Sequence, residues 1–228
     1  MNDVQFFPGN RIKIKNCDNL WNNRDLWHSF FDIRILKRFC KNVETIIEFG
    51  SYDGGDGIKY KYHFPSANVY SIEASPGCYK NIKPLEKYGL KVYNYAISDK
   101  YGELDFYQTY DPDNDNIAPC GAIEKKNVSV KRGKEQDLEI LDPIKVPCIT
   151  IEEFCKKENI NKVDLLHVDV EGHAPQVIKG LGNLKPKIIY IEVKSDTHNH
   201  SSIIKNLLMN DYKYYGKTGS DEIWICKN

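Results

Sequence analysis

The chain has 228 residues, 41% of them apolar and 12% aromatic, enough to bury a core in one domain and too many for an intrinsically disordered chain. Lysine plus arginine and aspartate plus glutamate both number 32, so the formal charge is zero and the basic surplus expected of a protein whose main partner is nucleic acid is missing. No run of about 18 apolar residues is present to span a membrane, and Met1 to Asn10 lack the basic start and apolar stretch of a secretory signal. The seven cysteines form no C-x-x-C pair, which leads us to expect reduced thiols in a cytoplasmic protein rather than a disulfide framework or zinc knuckle.

After a polar, asparagine-rich lead, apolar residues at helical spacing from Leu26 predict a helix ending near Cys40. This helix makes residues 1–44 a helical extension ahead of a single domain over 45–228. Thr45 to Phe49 is a short β-branched run stopped by Gly50, the pattern of a buried strand. A glycine-rich turn, Gly50 to Gly57, leads into a helix that Pro65 ends by residue 63. Asn68 to Glu73 is the second strand, and Ser75-Pro76 opens a helix with serine at the cap and proline in the first turn. Lys91 to Ile97 is the third strand, with Glu103 to Tyr107 as a hairpin partner after it.

From Asp111 to Pro147 the periodicity lapses, and we expect a lid or substrate loop there. Thr150 and Glu153 stand at capping-box spacing before a helix to Glu158. Val163 to Val170 is the fourth strand, followed by a helix through Lys179. Lys187 to Val193 is the fifth strand, and Ser201 to Met209 is a helix. Tyr212 to Tyr215 and Glu222 to Cys226 form an antiparallel edge hairpin. Strands alternating with helices at this spacing predict an α/β fold with a mostly parallel, doubly wound sheet.

Such sheets bind ligands beyond the carboxyl ends of their strands. After the first strand, Gly50 allows close backbone approach, and the acids Glu48 and Asp53 suit a cationic ligand. Neither the G-x-G-x-x-G of a dinucleotide site nor a G-x-x-x-x-G-K-[ST] loop is present. Glu73 ends the second strand, where a carboxylate can accept both hydroxyls of a ribose. The third strand end, Asn94 to Asp99, is the place for an adenine. The fourth ends with Asp169, Glu171 and His173, and the fifth with Glu192. Asp196, His198 and His200 beyond it bring metal ligands together, but no complete metal site is predicted.

In this order and at these spacings, IIEFGSYDG, VYSIEASP, AISDKYG, VDLLHVDVEGHAPQVIKGL and IIYIEV resemble the FkbM family of S-adenosylmethionine-dependent methyltransferases, from about Thr45 to Cys226. The resemblance implies a Rossmann-like class I methyltransferase fold with a seven-stranded sheet. It also implies that Glu48, Gly50, Ser51, Tyr52 and Asp53 hold the methionine moiety of S-adenosylmethionine, Glu73 with Ala74 its ribose, and Ala96 and Ser98 its adenine. Asp169, Glu171 and His173 would face the reacting end. His167 stands where many members have lysine, and Ala174 where many have glutamate.

Methyl transfer to a hydroxyl needs alignment and a base. The expected acceptor is a hydroxyl of a sugar, glycan or glycoconjugate. His173 is the leading base, with Asp169 or Glu192 orienting it or replacing it. A divalent ion on Asp169 and Glu192 is the alternative activator. Two other readings stand beside this one, an NAD-dependent oxidoreductase on the same fold and an inactive binding protein that kept it. The oligomeric state, a homodimer included, is open.

Overall fold

The computed structural model describes residues 3–14, 25–113, 115–128, 137–193 and 200–227. In chain order the elements are strands β1 (Val4–Phe7), β2 (Arg11–Ile14) and β3 (Leu26–Trp27), helix α1 (Ile33–Phe39), β4 (Thr45–Phe49), α2 (Gly55–His63), β5 (Asn68–Glu73), α3 (Pro76–Ile82), β6 (Leu90–Asn94), β7 (Ala96–Ile97), β8 (Gly102–Asp111) and β9 (Asn116–Ala122). They continue with β10 (Glu139–Ile140), β11 (Ile144–Ile149), α4 (Ile151–Lys157), β12 (Leu165–Val168), α5 (Ala174–Lys179), β13 (Ile188–Glu192), α6 (His200–Leu208), β14 (Tyr212–Thr218) and β15 (Asp221–Cys226).

Seven strands form the central sheet in the order β14-β15-β13-β12-β4-β5-β6. The five from β6 to β13 run parallel, while β15 is antiparallel to both β13 and β14 and closes one edge. The inner strands read as continuous apolar runs because both of their faces are covered. Alternate side chains feed opposite layers. Ile46 and Leu165 join Ile58 and Tyr60 of α2 in one buried cluster, and Ile47 and Leu166 join Phe154 of α4 and Val177 of α5 in another. The order reverses direction between β4 and β12, the switch point where open α/β sheets hold their ligands.

The expected caps form. Ser75 Oγ accepts from the Cys78 N–H at 3.3 Å, and Thr150 with Glu153 makes a complete capping box.

Three expectations are corrected. The N-terminal helix is confined to α1, capped by Asp32, and Leu26–Trp27 instead pairs with β2 in a small three-stranded sheet. Leu26 of that sheet and Phe31 beyond it enter the same buried cluster as Ile46 and Ile58. The third strand is two strands: β6 ends at Asn94 in the central sheet, and β7 pairs with β11 in a second, five-stranded sheet. The stretch 111–147, expected to be a loop, supplies β9, β10 and β11 to that second sheet around the long strand β8, and its residues 129–136 lie outside the described ones. Among the described residues no helix is long and apolar enough to cross a membrane.

Candidate active site

The chain leaves β4 at Phe49 and turns through three left-handed residues, Gly50 (φ +81°), Tyr52 (φ +45°) and Gly54 (φ +79°), into α2. The Gly50 N–H donates to the Ile72 carbonyl at 3.0 Å, drawing the turn against β5. On its other side Gly50 meets the end of β12, where a Cβ would stand 1.6 Å from the Asp169 carbonyl oxygen. Only glycine fits, for its φ and for this contact.

At the end of β5 the Glu73 carboxylate is pinned by backbone donors. The Tyr52 N–H reaches Oε2 at 2.9 Å and the Ser75 N–H reaches Oε1 at 2.7 Å. Burial pushes this carboxyl up and the two N–H donors partly offset it. Each oxygen keeps a further lone pair for another donor.

Between these two features lies a cleft of about 830 Å³ when the solvent in its open mouth is counted. Its floor is Gly50, Tyr52, Asp169 and Glu171, and one wall is Ile72, Glu73, Ala74 and Ser75. The far end is Ala96 and Ile97, and the second sheet roofs it with Phe106, Gln108 and Ile123. Gln108 is fixed there as acceptor of the Ser75 hydroxyl at 2.8 Å. Sequence reasoning found a hairpin strand at Glu103 to Tyr107 but missed the rest of this roof, because Asp111 to Pro147 carries no regular periodicity.

The predicted residues divide by position. Gly50, Tyr52, Glu73, Ala74, Ala96 and Asp169 line the cleft. Glu48, Ser51, Asp53, Ser98, His173 and Glu192 do not border it. Glu48 is buried, accepts from Ser71 Oγ at 3.1 Å, and lies 3.0 Å from where a Cβ on Gly57 would stand. That places its carboxylate beneath α2. Ser51 donates its hydroxyl to the Ile72 carbonyl at 3.2 Å.

Asp53 accepts the N–H groups of Trp27 at 2.8 Å and Gly55 at 2.9 Å. It therefore anchors the N-terminal segment, and burial pushes its carboxyl up to about 7. Asp56 holds the same segment by accepting from the Ser29 N–H and hydroxyl, both at 2.7 Å. His173 sits at the N-cap of α5 with its Nε2 2.9 Å from Ser98 Oγ. His167 is buried on the α2 side of β12, its Nδ1 3.1 Å from the Tyr60 hydroxyl, which gives that departure a packing role.

Of the carboxylates that line the cleft, Asp169 is exposed, Glu171 half-buried and Glu73 buried. Val168 pairs with Ile191, and Glu192 with Asp221, so Asp169, Glu192 and Asp221 end adjacent strands. The surrounding protein, and then the charges of Glu192, Glu171 and Asp221, push the Asp169 carboxyl well above the usual range. Asp196 and His198 fall outside the described residues, among which no three metal-binding side chains converge.

The 2-O-methyltransferase NoeI of Sinorhizobium fredii (strain NBRC 101917 / NGR234) is 27% identical over 166 residues, covering 70% of this chain and 67% of that protein. The precorrin-6y C5,15-methyltransferase structure from Geobacter metallireducens GS-15 aligns with a TM-score of 0.45 at 10% identity, over 84% of this chain and 86% of the other. The structure of M. capricolum TrmK with S-adenosyl-homocysteine aligns with a TM-score of 0.38 at 11% identity, over 86% and 68%. Residues 48–214 match the family described as "Methyltransferase FkbM domain". That match spans well over half of the sequence and includes both Gly50 and Glu73, so the chain belongs to the FkbM family of methyltransferases.

Proposed function

We propose that the protein transfers a methyl group from S-adenosylmethionine to a hydroxyl of a sugar, glycan or glycoconjugate. The observation that carries this reading is the pairing of Gly50 with Glu73 across one cleft. The donor set suits the cofactor: a bare backbone at Gly50 for the amino-acid part, and a fixed carboxylate at Glu73 with lone pairs to spare for two ribose hydroxyls. The apolar end at Ala96, Ile97 and Phe106 suits adenine. The relative named as a 2-O-methyltransferase favours oxygen as the acceptor atom.

When bound, S-adenosylmethionine supplies a methyl on a sulfonium, which leaves as a neutral thioether. The chain's main contribution is to align the acceptor with that methyl. The hydroxyl must also lose its proton, and a base works best with its pKa near the working pH. Asp169 borders the cleft and its carboxyl is raised, so it is placed to take that proton, with Glu192 beside it. His173, engaged by Ser98 away from the cleft, is not placed to do so.

Calorimetry with S-adenosylmethionine and NAD, followed by methyl transfer to a panel of glycans with and without EDTA, tests the reading. Binding of the first ligand alone and EDTA-insensitive methylation of a hydroxyl are expected. Binding of NAD in preference, or methylation only of nitrogen or carbon, overturns it.

A further inference from the structure

Asp169, Val170 and Glu171 form one side of the cleft floor, and the segment continues into Gly172 through two successive left-handed residues, Glu171 (φ +50°) and Gly172 (φ +88°). Its exit is His173, whose N–H donates to the Val170 carbonyl at 3.1 Å and closes the turn. A non-glycine residue holds a left-handed backbone only where the surroundings fix it.

The His173 ring, 6% exposed, supplies that fixing point. Its Nε2 lies 2.9 Å from Ser98 Oγ, and Ser98 in turn donates to Asp99 Oδ1 at 3.2 Å. Asp99 can only accept, and we assign the single hydroxyl hydrogen of Ser98 to it. The Ser98 oxygen then accepts from the His173 Nε2–H. Ser98 directly follows Ala96 and Ile97 at the far end of the cleft. One hydrogen bond therefore joins the residue just beyond the cleft floor segment to the residue just beyond Ala96 and Ile97, behind the cleft.

We propose that His173 is a positioning residue, whose neutral Nε2–H tautomer locks the Asp169–Gly172 segment onto Ser98 and so sets the spacing between the two walls that grip the cofactor. The tautomer leaves Nδ1 as a buried lone pair without a partner, and adding a proton there would bury a positive charge. Burial accordingly lowers the pKa of this ring, Glu124 and Asp99 oppose that, and Lys100 adds to it. The ring stays neutral and serves as a strut.

This role rests on the proposed cofactor reading, and the experiment separates the two. S-adenosylmethionine binding by calorimetry, the kcat and KM of methyl transfer, and the pH–rate profile are measured for the wild type, His173→Ala, His173→Gln, Ser98→Ala and the double alanine variant. His173→Ala and Ser98→Ala should each weaken binding and raise KM about five- to tenfold, with kcat changing less. The double variant should be no worse than either single one, as for two ends of one contact. His173→Gln, which keeps a donor near the Nε2 position, should recover most of the loss even if the alanine variant fails to fold. The acid limb of the pH profile should stay in place throughout. A glutamine variant as impaired as alanine, additive losses, or a collapse of kcat with binding intact and the acid limb gone would overturn the role. A wild-type chain that binds no S-adenosylmethionine would overturn the cofactor reading, and this role with it.

Discussion

Gly50 and Asp169 touch through their backbones: a methyl group on Gly50 would lie 1.6 Å from the Asp169 carbonyl oxygen, and Gly50 already holds φ at +81°. The contact joins the ends of two adjacent parallel strands under the cleft. Gly50→Ala must therefore separate β4 from β12 or reshape the turn. It should cost about 3 kcal/mol or more in denaturant unfolding and abolish S-adenosylmethionine binding. Gly219, with φ +62° and open space around it, is the control, since alanine there meets only backbone strain of about 1 kcal/mol. Equal losses at the two positions would show that the contact with Asp169 adds nothing.

Glu73 is held by two backbone N–H groups, one before each oxygen. Glu73→Gln replaces one oxygen by an amide that turns its own hydrogens toward an N–H donor. It also removes the charge that would accept ribose hydroxyls. Affinity for S-adenosylmethionine should fall about 10- to 100-fold, the scale of hydrogen bonds to a charged group. Unchanged affinity in calorimetry would remove Glu73 from the cofactor site.

Much of this arrangement is legible in the sequence, for definite physical reasons. The strands β4, β5, β12 and β13 are buried on both faces, so they stand out as apolar runs whatever their partners. Gly50 and Glu73 are legible because a tight turn and a strand-end carboxylate are local features. The split between β6 and β7 is not, because Lys91 to Ile97 is extended throughout and only pairing partners far along the chain assign its halves to different sheets. The roles of Asp53 and Asp56 are hidden in the same way. Asp53 stands in a turn that suits a cationic ligand and Asp56 in the first turn of α2, yet their oxygens take backbone donors from Trp27 and Ser29, more than twenty residues earlier. Those bonds also explain why helical spacing from Leu26 fails: the segment's N–H groups are used outside any helix.

Asp53 gives a pH dependence with a defined sign. Its folded carboxyl is pushed up to about 7 from an ordinary 3.8, so the folded state holds its proton more tightly than the unfolded one. The stabilisation is complete below the unfolded value and is lost as pH rises from about 4 to about 7. Asp53→Asn removes this dependence while sacrificing one of the two accepted N–H bonds. Urea unfolding from pH 4 to 8 should show the wild type losing more stability over that interval than the variant. Parallel curves would mean that Asp53 ionises normally in the fold.

Asp169 borders the cleft beside Glu192, and after desolvation by the surrounding protein that neighbour is the largest single charge raising its carboxyl. If Asp169 takes the proton from the acceptor hydroxyl, Asp169→Asn should bind S-adenosylmethionine within about threefold of wild type and lose about 10²- to 10⁴-fold in kcat, the usual contribution of a general base. The sharper test is Glu192→Gln. Removing a like charge lowers the Asp169 pKa, so the base stays ionised to lower pH and the acid limb of the kcat profile should move toward acid. A hydroxyl-activating base elsewhere would leave that limb where it was, and an Asp169→Asn variant with wild-type turnover would exclude Asp169 outright.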